Sequence, residues 1–274
     1  MKKKQYITTL TIAGFDPSGG AGIQADIKTM SALGCYATSV LTALPVQNTV
    51  GVRSIYPVPY QAVKEQIEAV LEDIFPDALK IGMVHTSELV TTIVETLRNY
   101  PKMPIVFDPV MVATSGHKLI ENETIQRIVN TLFPIADIIT PNLDEAGILA
   151  DMKIETVEEM YLAGNKIKQL GAKNILLKGG HLKTTQLTSL FFSEEDEVHE
   201  FHFEKYETKN THGSGCSLSS AIASYLAQGN SMLEAVTLGQ NYVKEAIYQG
   251  KDIHIGKGNG PLNHFFNPVK LMKK

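Results

Sequence analysis

The segment THGSGCS at 211–217 sets Ser214 between Gly213 and Gly215 and places Cys216 at the head of a stretch rich in small residues. If a helix begins there, three or four backbone N–H groups have no intrahelical acceptor. The positive end of the helix dipole faces the same point, an arrangement for holding an anion. An ordinary helix cap through Ser214 is the alternative. In a first helical turn the Cys216 thiol is expected to ionise more readily than usual, unless it is a buried structural cysteine. A second segment, GFDPSGGAG at 14–22, has neither the GK[ST] ending of a phosphate loop nor the spacing of a dinucleotide fingerprint. Asp16 there would repel phosphate. It suits a neutral ligand carrying an N–H or hydroxyl donor, with glycines letting the backbone approach; a plain tight turn is the competing account.

The third segment, Asn142-Leu-Asp-Glu145 after ADIITP, puts an amide and a carboxylate three residues apart. Such a pair can hold the water shell of Mg²⁺, and it is equally the pattern of a capping box. Asp108 at the end of PIVFD supplies a further carboxylate. Lys178 in LLKGG supplies a cation suited to phosphate, or is a surface lysine laid along apolar neighbours. His199 and His202 alternate to opposite faces of one extended run and do not form a metal pair. Cys35 ends the first helix and is expected in the core.

These residues need a scaffold that brings distant segments together. Apolar runs at 9–14, 78–83, 104–110, 136–140 and 174–180 read as strands. Amphipathic stretches near 21–33, 60–75, 87–99, 121–132 and 156–170 read as helices, the first ended by Gly34. Thr156 with Glu159 and Ser231 with Glu234 have capping-box spacing. The alternation predicts an α/β fold, a mainly parallel central sheet with helices on both faces. Residues 36–56 look extended, 187–206 read as two strands joined by an acidic turn, and helices near 215–228 and 232–249 finish the pattern. In such sheets ligands sit at the carboxyl ends of the strands. Gly14–Gly22, Met83, Asp108, Asn142, Lys178 and the loop before Cys216 all fall there.

The 274 residues are 43% hydrophobic and 20% charged, with a net charge of −4. No linker composition divides them, so one domain over 1–274 is expected. Beyond Lys2–Lys4 there is no basic cluster, which argues against nucleic acid. No apolar run is long enough for a membrane span, and two cysteines give neither a disulfide framework nor a zinc site. A cytoplasmic location is expected.

Seven stretches together resemble the hydroxymethylpyrimidine/phosphomethylpyrimidine kinases of thiamin biosynthesis: residues 11–34, 42–52, 80–83, 139–146, 176–181, 208–223 and 256–265, in family order. The resemblance implies a ribokinase-like fold, ATP with Mg²⁺, a monovalent cation left open, and a homodimer. It also implies two successive phosphoryl transfers, to 4-amino-5-hydroxymethyl-2-methylpyrimidine and then to its monophosphate. By the same resemblance Gln47 reads the aminopyrimidine edge, and Asp16, Ala21, Gly22, Asp26, Met83 and Val110 line the pyrimidine pocket. Asn142 and Glu145 match the magnesium motif, Lys178, Asp108 and Asn142 the ATP phosphates, and Gly213, Ser214, Gly215 and Cys216 the anion hole and catalytic position, with Cys216 as the acceptor's base. Phe15, Pro45 and Ser214 depart from the usual residues. Pyridoxal kinase activity is the nearest rival; those kinases, by resemblance, carry Asp where this chain has Cys216. A silent vitamin sensor would be expected to lack Lys178, Glu145 or the glycine turn, and a nicotinamide dehydrogenase would need the missing fingerprint.

Overall fold

Strand β1 (Thr8–Ala13) alternates Leu10 and Ile12 with Thr9 and Thr11, and all four are fully buried. A strand covered on both faces belongs inside a sheet with helices on either side. That is its place in the structure, a computed structural model describing residues 4–111, 120–180 and 186–274. After β1 come α1 (Gly22–Ala32), β2 (Tyr36–Leu41), β3 (Ala43–Asn48), β4 (Gly51–Pro57), α2 (Tyr60–Asp73), β5 (Ala78–Ile81), α3 (Ser87–Leu97), β6 (Ile105–Phe107) and α4 (Asn122–Arg127). A π-helical turn (Ile128–Leu132) extends α4. Then follow β7 (Ile138–Ile139), α5 (Leu143–Ala150), α6 (Val157–Gln169), β8 (Asn174–Leu177), β9 (Gln186–Phe192), β10 (Val198–Glu204), α7 (Ser214–Ala227) and α8 (Met232–Gly250).

The main sheet has the order β10-β9-β8-β7-β6-β5-β1-β2. It is parallel from β2 to β8, with β9 and β10 added antiparallel. The chain runs from β1 outward to β2, then returns to place β5 on the other side of β1. That reversal opens a crevice at the carboxyl ends of β1 and β5. Two apolar layers hold the sheet. Leu10, Ile12, Leu79, Ile81, Phe107 and Leu177 pack with Ile67, Ile93 and Ile167 of the helices on one face. Val106, Ile138, Leu176 and Phe191 pack with Met30 of α1, Ile222 of α7 and Val236 of α8 on the other. Each such side chain contributes roughly 1.5–3 kcal/mol by leaving water. Lys80 falls on this second side, between Leu79 and Ile81, with no exposure at all.

The extended stretch 36–56 divides. β2 joins the main sheet, whereas β3 and β4 form a separate antiparallel ribbon with a register shift between Val46 and Gln47. Pro45 lacks the donor a central strand needs, and every residue of β4 is exposed. Three capping boxes start α5, α6 and α8, at Asn142/Glu145, Thr156/Glu159 and Ser231/Glu234. The predicted helix at 121–132 is α4 with its π turn, and the run 136–140 pairs only through Ile138 and Ile139. Among the described residues no helix is long and apolar enough to cross a membrane.

Candidate active site

Gly14 ends β1, and its neighbours bring the 14–22 loop back on itself. The Ile23 N–H donates to Gly14 O at 2.9 Å. A Cβ on Gly22, at φ +55°, would meet Gly14 O at 2.4 Å, so only glycine fits. Met83, after β5, closes the same corner, its Cε 3.1 Å from where a Gly14 Cβ would lie. Ala21, Gly22 and Met83 thus share one wall. The half-buried Gln47 stands on β3 at the ribbon's bulge. Val110 is half-buried two residues beyond Asp108, its N–H donating to Asp108 O at 2.8 Å.

Asp16 does not offer its carboxylate to a ligand. It turns into its own loop, where Ser18 N, Ser18 Oγ, Gly20 N and Ala21 N donate to it at 2.9, 2.7, 3.1 and 2.7 Å. The His212 ring nitrogen Nε2 lies 2.9 Å from Oδ2. Burial opposes the charge, but the hydrogen bonds of His212, Gln47, Ser18 and Ala21 hold the carboxyl far below the usual carboxylate range. A carboxylate only accepts, so the Gln47 amide meets Asp16 through its NH₂ and keeps Oε1 for another partner. Asp26 also departs from expectation. It is fully buried beneath α1, its oxygens taken by Lys80, Thr11 and Ser220, and it does not line a pocket.

The glycine turn at 213–216 packs flush against this loop. Gly213 has φ +82°, and a Cβ there would lie 1.8 Å from Gly20 O. Gly213 is the residue before α7 and no side chain caps the turn. Ser214 is therefore not the cap its position suggested; its own N–H donates to Thr211 O. Lys178 stands beside this first turn, its Nζ 3.2 Å from where a Gly215 Cβ would be.

Lys178 follows β8 and donates to Asp108 Oδ1 at 3.0 Å, and Thr140 Oγ1 donates to the same oxygen at 3.0 Å. Oδ2 of Asp108 faces Gly215, 3.6 Å from its built Cβ. Burial raises the cost of both charges. Lys178 and Lys80 nonetheless keep Asp108 below its ordinary value, and Asp108 and Glu145 keep Lys178 above its own. Asn142 pairs with Lys178 in a short parallel bridge. The Asn142/Glu145 capping box is real: Asn142 N donates to Glu145 Oε2 at 2.8 Å and Glu145 N to Asn142 Oδ1 at 2.9 Å. Glu145 is buried, and its carboxyl is pushed up to about 7 by burial and by Asp108, against the pull of Lys178 and the Asn142 and Met111 backbone groups. Both side chains hold their own helix start, so they fit a hydrated Mg²⁺ through water, while Asp108 Oδ2 is the carboxylate oxygen turned toward the turn.

Cys216 reverses its sequence expectation. Burial pushes its thiol up to about 11, with Asp26 and Asp108 adding to the rise. Lys80 and the Gly22 backbone pull it down by less. Sequence reasoning passed over Lys80, His212 and Ser220. The only local signal was a lysine inside the apolar strand ALKI and a histidine directly before the glycine turn.

A family model described as phosphomethylpyrimidine kinase matches residues 16–263. A rice (Oryza sativa subsp. japonica) relative named a probable thiamine biosynthetic bifunctional enzyme is 44% identical over 260 residues, 94% of this chain and 47% of the relative. The chain thus spans about half the length of that relative. The hydroxymethylpyrimidine/phosphomethylpyrimidine kinase of Staphylococcus aureus (strain Mu50) is 40% identical over 93% of this chain and 92% of its own. A crystal structure of the Clostridium difficile 630 phosphomethylpyrimidine kinase superposes with TM-score 0.77 at 46% identity, covering 88% of this chain and 99% of that one. The Staphylococcus aureus pyridoxal kinase, solved with AMP-PCP and pyridoxal, has TM-score 0.87 at 31% identity, covering 97% and 96%. On this sequence-wide match, the chain belongs to the phosphomethylpyrimidine kinase family.

Proposed function

We propose that the chain transfers the γ-phosphoryl group of ATP to the primary alcohol of 4-amino-5-hydroxymethyl-2-methylpyrimidine, and then transfers a second one to the resulting monophosphate. The observation that carries this reading is the uncapped Gly213–Cys216 turn, with Lys178 beside Gly215 and Gly213 packed on Gly20 and Ala21 of the 14–22 loop. Phosphoryl transfer asks mainly for positioning and charge neutralisation. The turn's amides and Lys178 take up charge on the moving phosphoryl. Asp108, with Asn142 and Glu145 through water, would hold Mg²⁺, which supplies further neutralisation of the phosphate oxygens. Gln47, oriented by Asp16, offers Oε1 to an exocyclic amino group. Cys216 takes the acceptor's proton in the first transfer. The polar cleft lined by Thr208, Asn210, Lys251 and His254 adjoins the segment leading into the turn and suits the nucleoside end of ATP.

The exposed ribbon, with Val52, Ile55 and Tyr56 uncovered on β4 and Tyr60 beside it, favours a second copy of the chain as its cover. Light scattering after gel filtration, with Ile55→Glu as the disrupting variant, tests the homodimer. The activity itself is tested by ADP release with the pyrimidine alcohol, its monophosphate and the three B6 vitamers as acceptors. Turnover of both pyrimidines above all vitamers is the expected result. The likeness to pyridoxal kinase favours a second reading, and preference for pyridoxal would establish it in place of the first.

A further inference from the structure

Lys80 is among the largest side chains with no exposure, in a strand whose other residues are apolar. Its ammonium lies 2.8 and 3.0 Å from the two oxygens of Asp26, and neither side chain is exposed. Thr11 Oγ1 donates to Asp26 Oδ2 at 2.6 Å and Ser220 Oγ to Oδ1 at 2.7 Å. Each carboxylate oxygen thus accepts from Lys80 and from one hydroxyl. Both hydrogen bonds that Lys80 makes among the described residues go to Asp26, one fewer than the three donors of an ammonium.

Ser220 stands four residues after Cys216 on α7, one turn below it on the same face. The pair therefore lies under the thiol. A Cβ on Gly82 would come 2.8 Å from Lys80 Nζ, so the glycine keeps open the space beside the cation. Stability alone accounts poorly for such a pair, because well-packed apolar substitutes for buried ions are often neutral or stabilising. The charges facing Cys216 are Lys80 from β5, Asp26 from α1, Asp108 after β6 and Lys178 after β8, with the Gly22 backbone at the start of α1. Lys80 and Lys178 favour negative charge on sulfur; Lys178 stands beside Gly215 and donates to Asp108, whereas Lys80 is paired with Asp26 beneath the helix.

We propose that the Lys80–Asp26 pair is a positioning device for phosphoryl transfer: Asp26 anchors the first turns of α7 through Ser220, and Lys80 presents one positive charge to the underside of Cys216. The proposal rests on the reading that Cys216 lies at the reacting centre. The cation favours the thiolate over the thiol, so a larger fraction of the enzyme holds the base in its proton-accepting form when the acceptor's proton leaves.

The test replaces both charges at once, Lys80→Met with Asp26→Asn, so that no unpaired ion is left and an amide still faces Thr11 and Ser220. The readouts are the iodoacetamide alkylation rate of Cys216 against pH, located by peptide mass, and kcat and ATP KM for alcohol phosphorylation. Cys216 keeps some surface exposure while Cys35 is buried, so the two are separable. In the double variant alkylation between pH 8 and 9 is expected to fall about two- to threefold, because the pull of Lys80 on the thiol is lost together with the weaker opposing push of Asp26. Alcohol kcat should fall alongside it with ATP KM unchanged. An unaltered alkylation profile overturns the proposal. Ser220→Ala, small enough to keep the fold, lets Asp26 draw harder on Lys80. It is expected to slow alkylation by about two- to threefold, within the range of one hydrogen bond, and no change there also counts against the coupling. Should Cys216→Ala phosphorylate the alcohol at the wild-type rate, it is the reading of Cys216 that fails, whatever the alkylation shows.

Discussion

His212 Nε2 lies 2.9 Å from Asp16 Oδ2, joining loops 196 positions apart in the chain. This contact clips the glycine turn that precedes α7 onto the loop that follows β1. The close approach of Gly213 to Gly20 would otherwise rest on backbone packing alone. His212→Leu should loosen both loops together, raising KM for the pyrimidine and lowering kcat by about tenfold each. His212→Gln, which keeps a donor, should recover much of the loss, since a hydrogen bond to a charged group is worth about 1.5–3 kcal/mol. Steady-state kinetics on both variants checks this; equal loss in the two would mean the imidazole shape, not its bond, is what matters.

Gln47→Ala should damage recognition of the pyrimidine more than of ATP. Its amide NH₂ is engaged by Asp16 and its carbonyl is left for a ligand donor. Losing that partner costs roughly 1–3 kcal/mol, or one to two orders of magnitude in kcat/KM. A rise in ATP KM alone would remove Gln47 from the acceptor pocket.

Glu145 couples function to stability with a definite sign. Its folded carboxyl, at about 7, lies above the ordinary value of 4.5. Between those values the folded state binds a proton that the unfolded chain has lost, so stability falls as pH rises through that window. At full displacement the cost above pH 7 is about 3 kcal/mol. Glu145→Gln should therefore melt higher than the parent at pH 8 and similarly at pH 5, while its Mg²⁺ requirement rises. Melting curves at the two pH values, paired with a Mg²⁺ titration of activity, test both halves.

Cys216 separates the two transfers. An alcohol must lose its proton as the new bond forms, whereas a phosphate monoester is largely dianionic near pH 7 and needs no base. With the thiol pushed up to about 11, thiolate is scarce near neutrality and grows with pH. The first transfer should accelerate from pH 7 to 9 and the second should not. Cys216→Ala should remove that slope and slow the first step by about 10²–10⁴-fold, the usual worth of a positioned base. Cys216→Asp should restore part of it. Equal losses in both steps would mean that the side chain only shapes the anion-holding turn.

Burial of His264 sets an acid limit. Its ring is held neutral, with its proton affinity lowered to about 4 by burial and by Lys28. Nε2 lies 3.0 Å from Ser217 Oγ, directly after Cys216. Between 6.5 and 4 the unfolded chain binds a proton that the fold does not, so stability declines as pH falls through that range. Replacing His264 with Gln should flatten this part of the stability curve, as read by urea titrations at pH 7 and pH 5.

The residue pattern by itself determined the sheet, the helices and the strand ends. Alternation in TTLTIA, the Asn142/Glu145 and Ser231/Glu234 spacings and the glycines at 22 and 213 are local signals, and each acts within a few residues of where it is read. Strand ends then carry Gly14, Met83, Asp108 and Lys178 to one edge, because parallel strands share a direction. What lies between segments was decided only by tertiary structure. Asp16 looked open to a ligand until His212 arrived from the far end of the chain. Asp26 looked like a pocket residue until Lys80, 54 positions away, met it under the sheet's second apolar layer. The thiol of Cys216 gained acidity from its helix start in prospect and lost it to burial in fact. A charge's preference depends on solvent and on other charges, and both are set by which elements pack together, which no local spacing encodes.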